Sequence, residues 1–242
     1  AFEARATGSA RVWVVNQDND SVSVFDASTN AKVAEVGVGI APRSIAVAPD
    51  GRIWVSNRQS ATISVLDPVS LAVSSTIALP RASQPYGIAF VPGGAHALVA
   101  LSATGQLVKL DATSLAQLGS VAVGANPRQV AIGADAKVYV ARFITPPLPG
   151  ESTANVETNI GTVDYGGEVV VVDAGNLSVT RTIVLKHSDK PDFENQGRGV
   201  PNYLGAAAIS PDGTQAWVPS KQDNIKRGAL RDGTGLNFQS TV

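Results

Sequence analysis

The chain has 242 residues, is 44% hydrophobic and carries a formal net charge of −1, so it can bury a sizeable core within one large β domain. That charge balance argues against a nucleic-acid partner, which would want a basic face, and no apolar run approaches the roughly 18 residues of a membrane span. The absence of Cys excludes disulfides, thiolate metal sites, a thiol nucleophile and Cys-linked haem, and is compatible with export.

The opening stretch AFEARATGSA has no apolar core of the kind a signal peptide needs, and Met is absent throughout, so the sequence is expected to be a processed or excised piece. The first strand signal is RVWVV from Arg11, and the chain is expected to open there, with no inner strand ahead of it. VWVVNQDNDSVSVFD (12–26) then reads as apolar strand, polar turn, alternating strand and closing Asp. The same sentence returns as IWVSNRQSATISVLD (53–67), as ALVALSATGQLVKLD (97–111), and between 138 and 173 around an insertion. The closing residues Asp26, Asp67, Asp111 and Asp173 are spaced by 41, 44 and 62 positions. Between them lie a third strand, such as AKVAEVGVG, and a fourth introduced by Pro: PRSIAVAPDG (42–51), PYGIAFVPGG (85–94), PRQVAIGADA (127–136) and PNYLGAAAISPDG (201–213).

Four short strands in a unit of about 42 residues are the period of a propeller blade. Val, Ile and Thr dominate the strands, and PDG supplies the Gly that a tight hairpin turn requires. Each closing Asp is expected to cap its turn through its side chain rather than to act in catalysis. The predicted repeats are 10–41, 42–84, 85–126, 127–200 and an incomplete 201–220, all in one domain, 1–242. The predicted fold is an all-β propeller of four-stranded antiparallel blades with about four and a half blades present, a fragment of a larger ring. The alternative is a four-bladed ring in which strand 203–210 completes the first blade. An open ring exposes strand edges, to be covered by further C-terminal blades or by a second copy. Ile45, Val47, Ile88, Phe90, Val130 and Ile132 are expected to line the inner strands and be buried between blades.

VWVVN and IWVSN, each followed by SVSVFD or TISVLD, together with the Pro-x-x-Ile-Ala-Val-x-Pro-Asp-Gly run at 42–51, resemble the repeat of the YVTN family of β-propellers. The resemblance covers roughly 10–219. It implies the fold. Related blades serve surface-layer proteins, exported proteins, lactonases and redox-enzyme subunits, so it does not imply one function.

With strands named a to d outward from the axis, b–c and d–a connections share one end of such a domain, and a–b and c–d turns share the other. The long connections are 143–167 (b–c), 186–202 (d–a) and the stretch after Trp217. They are expected to converge on a recognition face. The candidate face residues are Arg142, Phe143, Asp164, Tyr165, His187, Asp192, Phe193, Arg198, Tyr203 and Lys221. Their aromatic and charged groups suit a protein or small-molecule ligand. His96 reads as a strand-surface residue and His187 stands alone, so no catalytic or multi-histidine metal set is expected. Carboxylates Asp164 and Glu168, or Asp189, Asp192 and Glu194, offer a weak calcium site without EF-hand spacing. No phosphate loop and no Gly-x-Ser-x-Gly elbow appears. The expectation is an exported, periplasmic or extracellular bacterial binding or scaffold module. The alternative is the propeller part of an enzyme or redox protein: lactonase-like, quinoprotein dehydrogenase-like, or fused to a haem peroxidase-like domain.

Overall fold

The structure is a computed structural model that describes residues 1–144, 166–186 and 199–224. Among these residues there is no α-helix, only one 3-10 turn at Gln17–Asn19. Four antiparallel four-stranded sheets follow one another in strict chain order. The first is β1 (Phe2–Glu3), β2 (Arg11–Asn16), β3 (Ser21–Asp26) and β4 (Lys32–Gly37). The second is β5 (Pro42–Val47), β6 (Ile53–Asn57), β7 (Thr62–Asp67) and β8 (Ala72–Ala78). The third is β9 (Pro85–Phe90), β10 (His96–Leu101), β11 (Gln106–Asp111) and β12 (Gln117–Ala122), and the fourth is β13 (Pro127–Ile132), β14 (Lys137–Arg142), β15 (Gly166–Asp173) and β16 (Ser178–Lys186). Two short ladders end the described chain: β17 (Gly199–Asn202) with β20 (Lys221–Asn224), and β18 (Ala208–Ile209) with β19 (Ala216–Trp217).

The sheets stack face to face because each strand alternates its side chains between two apolar faces. In β6, Ile53 and Val55 pack back on Trp13, Val22 and Val24 of the first blade, while Trp54 packs forward on Ile88, Val99 and Val108 of the third. In β10, Ala97, Val99 and Leu101 face the second blade, and Leu98 and Ala100 face the fourth. Inner strands β5, β9 and β13 run against one another, whereas the outer strands barely meet, so the stack is a wedge about an axis. At Gly87 the approach is so close that a Cβ would stand 2.5 Å from the carbonyl oxygen of Arg128 and 2.9 Å from the amide of Val130.

The closing aspartates do what their spacing implies. Asp67 Oδ1 accepts from the amides of Val69 and Ser70 at 2.8 and 2.7 Å, and Asp26, Asp111 and Asp173 repeat the pattern. Each turn closes with a left-handed residue: Asn30, Leu71, Leu115 or Leu177, with φ between +54° and +65°. A Gly would fit that backbone better, but the three leucines reach into the cores between blades, which offsets the strain.

Three expectations are corrected. The first blade has an inner strand: Phe2 and Glu3 pair with Val12 and Arg11, and Glu3 accepts from the buried indole N–H of Trp13 at 2.7 Å. Two residues carry no readable periodicity; tertiary pairing alone makes them a strand. Second, of the six inner-strand residues expected to be buried, Ile88 and Val130 are, but Ile45, Val47, Phe90 and Ile132 are half-buried. Full burial belongs to strands b and c of the second and third blades, which have a strand at each edge and a blade on each face. An inner strand has one neighbour in its own sheet and turns its other edge to the axis. Third, in the incomplete repeat 201–220 the strand expected at 203–210 shrinks to β18, with β19 as its short partner, and β17 and β20 flank them. Contacts from Gly205 to Pro219 and from Ser210 to Gln215 join both ladders into one bulged hairpin over 199–224. It packs on the fourth blade through Leu204, while the β2 edge that a four-bladed closure requires is taken by β1.

Candidate functional site

The b–c and d–a connections meet at one end through a repeated backbone device. The residue ahead of each inner-strand Pro is left-handed: Ala41, Gln84 and Asn126, with φ of 53°, 53° and 55°. Its carbonyl accepts from the residue just past the end of strand b in the same blade, namely Arg58, Ser102 and Phe143, at 3.0, 3.0 and 2.8 Å. Side chains at the head of strand a and just past strand b are thus set beside each other at the axial mouth.

These positions carry a continuous file of cations and rings. Arg43 and Arg128, second residues of β5 and β13, flank the ring of Tyr86, second residue of β9, with guanidinium carbons 5.8 and 5.2 Å from its centroid. Arg128 also lies over the Phe143 ring at 3.5 Å. Phe143 meets Tyr203 edge to face, centroids 5.3 Å apart, and Lys221 Nζ stands 5.1 Å from the Tyr203 centroid. Tyr203 is 39% exposed and itself left-handed at φ 52°, a strained posture for an aromatic residue. Arg58 donates from Nε and a terminal nitrogen to Gln84 Oε1 at 3.2 and 3.1 Å, and Arg43 donates to Gln17 Oε1. Burial, reinforced by the charges of Arg58 and Arg43, pushes the Arg128 guanidinium below its usual pKa.

The strand-end position that holds Asn in the first two blades changes in the fourth. Asn57 is fully buried and donates to Thr62 Oγ1 and Ser64 Oγ at 3.1 and 2.9 Å, and Asn16 does the same for Ser21 and Ser23 at 3.0 and 2.8 Å. Its equivalent Arg142 instead pairs with Glu168 across the same step and donates from Nε to the carbonyl of Ala125 at 2.8 Å. Arg142 is therefore a strut that ties β14 to β15 and to the preceding connection, and Glu168 is engaged by it.

Of the residues expected on this face, Arg142, Phe143, Tyr203 and Lys221 lie together on it. Asp164, Tyr165, His187, Asp192, Phe193 and Arg198, with the calcium candidates Asp189 and Glu194, lie outside the described residues. Among the described residues no cluster of three metal-ligating side chains occurs. His96 sits opposite Asp111 at the a–b/c–d end, away from the file. Sequence reading missed Arg43, Arg58, Tyr86 and Arg128. For Arg43, Tyr86 and Arg128 the signal was present in Pro-Arg, Pro-Tyr and Pro-Arg at the head of three successive inner strands, where a core strand has no need of a long polar side chain.

No family model matches the chain, and no curated protein does. Solved structures do. Hydrazine synthase of Kuenenia stuttgartiensis superposes with a TM-score of 0.70 at 22% identity, over 88% of this chain and 53% of that one. A catalytically inactive virginiamycin B lyase from Staphylococcus aureus, solved with quinupristin, superposes with a TM-score of 0.57 at 13% identity, over 87% of this chain and 59% of that one. The fold is a β-propeller. The chain spans between half and three-fifths of the length of these two structures. Among the described residues no helix is long and apolar enough to cross a membrane.

Proposed function

We propose that this propeller is a binding module of an exported bacterial protein, and that it engages its ligand or partner through the b–c/d–a end. The observation that carries the reading is the file Arg43, Tyr86, Arg128, Phe143, Tyr203 and Lys221, which concentrates the residue types of binding hot spots at the axial mouth. The YVTN-like repeat supports the exported setting. A photo-crosslinking residue placed at Tyr203, and separately at Val69 on the opposite end, tests it in the producing cell. Adducts from position 203 and none from position 69 are expected; adducts from position 69 alone would overturn the reading. Fractionation tests the setting, and recovery from the cytosol sinks the exported assignment.

The second reading is the propeller part of an enzyme or redox protein. It is supported by two proteins of similar fold, a hydrazine synthase and a virginiamycin B lyase. A visible absorbance band from a haem or quinone in the purified full reading frame would favour the redox form, and its absence counts against it.

A further inference from the structure

We propose that the axial mouth of the b–c/d–a end is a binding site for a multiply charged oxyanion, gripped by Arg128, Arg43 and Arg58. The inference rests on that end being the working end and names the chemistry it takes.

Among the described residues, no carboxylate lies within ion-pair distance of any of the three, although five other pairs form elsewhere in the chain. Asp20, in the same set of connections, spends Oδ1 on the amide of Ala41 at 2.7 Å and makes no ion pair there. Among the described residues Arg58 and Arg43 have only neutral acceptors, Gln84 and Gln17. Among the described residues Arg128 meets the Tyr86 hydroxyl and the Tyr86 and Phe143 rings, and no carboxylate. The Nε atoms of Arg43 and Arg128 are sealed from solvent and have no acceptor among the described residues. Like charges partly withdrawn from water repel one another and lose hydration, and a fold keeps such a cluster only at a cost. An anion removes that cost.

The geometry selects an oxyanion. Phe143 covers the Arg128 guanidinium at 3.5 Å and the Tyr86 hydroxyl takes one of its N–H groups, so the rest of its hydrogen-bonding edge is what remains to meet a ligand. A guanidinium edge presents paired N–H donors that match two oxygens of a carboxylate or phosphoryl group, which a Lys ammonium does not. Three cations call for two or three negative charges. The axial position limits the ligand to a small anion or one anionic group of a larger molecule. A nucleic-acid track is not implied, because the cations gather at one mouth in a chain of net charge −1.

The test is calorimetric titration of the whole chain in low-salt buffer with pyrophosphate and, separately, citrate. Saturable one-to-one binding of at least one is expected, weakened at least tenfold by Arg128→Gln and left unchanged by Lys137→Gln at the opposite end. Arg128→Lys, which keeps the charge and loses the planar donor pair, is expected to bind more weakly than the parent, with circular dichroism confirming that it folds. Preference for pyrophosphate assigns a phosphoryl ligand, and preference for citrate a carboxylate. Absence of binding by both anions, as when the chain's own carboxylates already satisfy the cluster, overturns the proposal, and so does binding that Arg128→Gln and Arg128→Lys leave intact. Crosslinking from position 203 without anion binding removes this inference and leaves the binding-module reading standing. Anion binding without such crosslinks does the reverse for a protein partner.

Discussion

The guanidinium carbon of Arg128 lies 3.5 Å from the centroid of the Phe143 ring, joining the head of β13 to the first residue past β14. The contact couples two strands of one blade at the mouth of the propeller, where the backbone bond from Phe143 to Asn126 at 2.8 Å already fixes their approach. A double-mutant cycle with Arg128→Gln and Phe143→Leu, followed by denaturant unfolding, is expected to show a coupling of about 0.5–2 kcal/mol. A coupling indistinguishable from zero would mean that the stacking contributes no stability.

Burial is greatest in strands b and c, and stability follows it. Trp54 is fully buried and meets Phe90 edge to face at 5.3 Å, so Trp54→Ala is expected to cost about 3–5 kcal/mol. Half-buried Ile45 is expected to lose roughly half of the 1.5–3 kcal/mol that a fully buried aliphatic side chain contributes. Equal losses at the two positions, measured by chemical denaturation, would contradict the assigned layers.

Gly87 lets β9 and β13 touch. Gly87→Ala drives a methyl group into the backbone at Arg128 and Val130 and is expected to destabilise by about 1–3 kcal/mol. Because the same displacement moves Arg128, anion affinity is expected to fall as well. An unchanged thermal midpoint would show that the inner strands can separate freely.

Acid should loosen the c–d turns. Hydrogen bonds from Ser28 and Thr29 hold the Asp26 carboxyl well below its usual pKa, those from the Ser70 and Val69 amides do so for Asp67, and those from Ser114 and Thr113 for Asp111. Native pKa values below the unfolded value of 3.8 mean that these groups stabilise the fold above pH 3.8. The contribution is lost as pH falls through the native values. A triple variant carrying Asn at 26, 67 and 111 keeps the acceptor oxygen but cannot titrate. Its unfolding midpoint is expected to vary less between about pH 5 and pH 2 than the parent's. Parallel curves would refute the role of these carboxylates.

The blade repeat was legible because its determinants are local. Alternating Val and Ile, the Pro-Asp-Gly turn and one closing Asp per unit act within a few residues, and Asp26, Asp67, Asp111 and Asp173 hold their turns as their spacing implies. The shared end of the b–c and d–a connections also followed from sequence, since strand direction must alternate. What tertiary structure alone decided involves partners far apart in the chain. Phe2–Glu3 become a strand because β2 offers them an edge, and Lys221–Asn224 because β17 does. Ile45 and Ile132 are only half-buried because an inner strand turns an edge to the axis. Arg43, Tyr86 and Arg128 occupy the same register in three repeats about 42 residues apart, and one unit read by itself shows a single polar residue after a Pro. Stacking the blades brings those residues to one mouth, because a period that places each core side chain against the next blade also places each strand head beside its neighbour's.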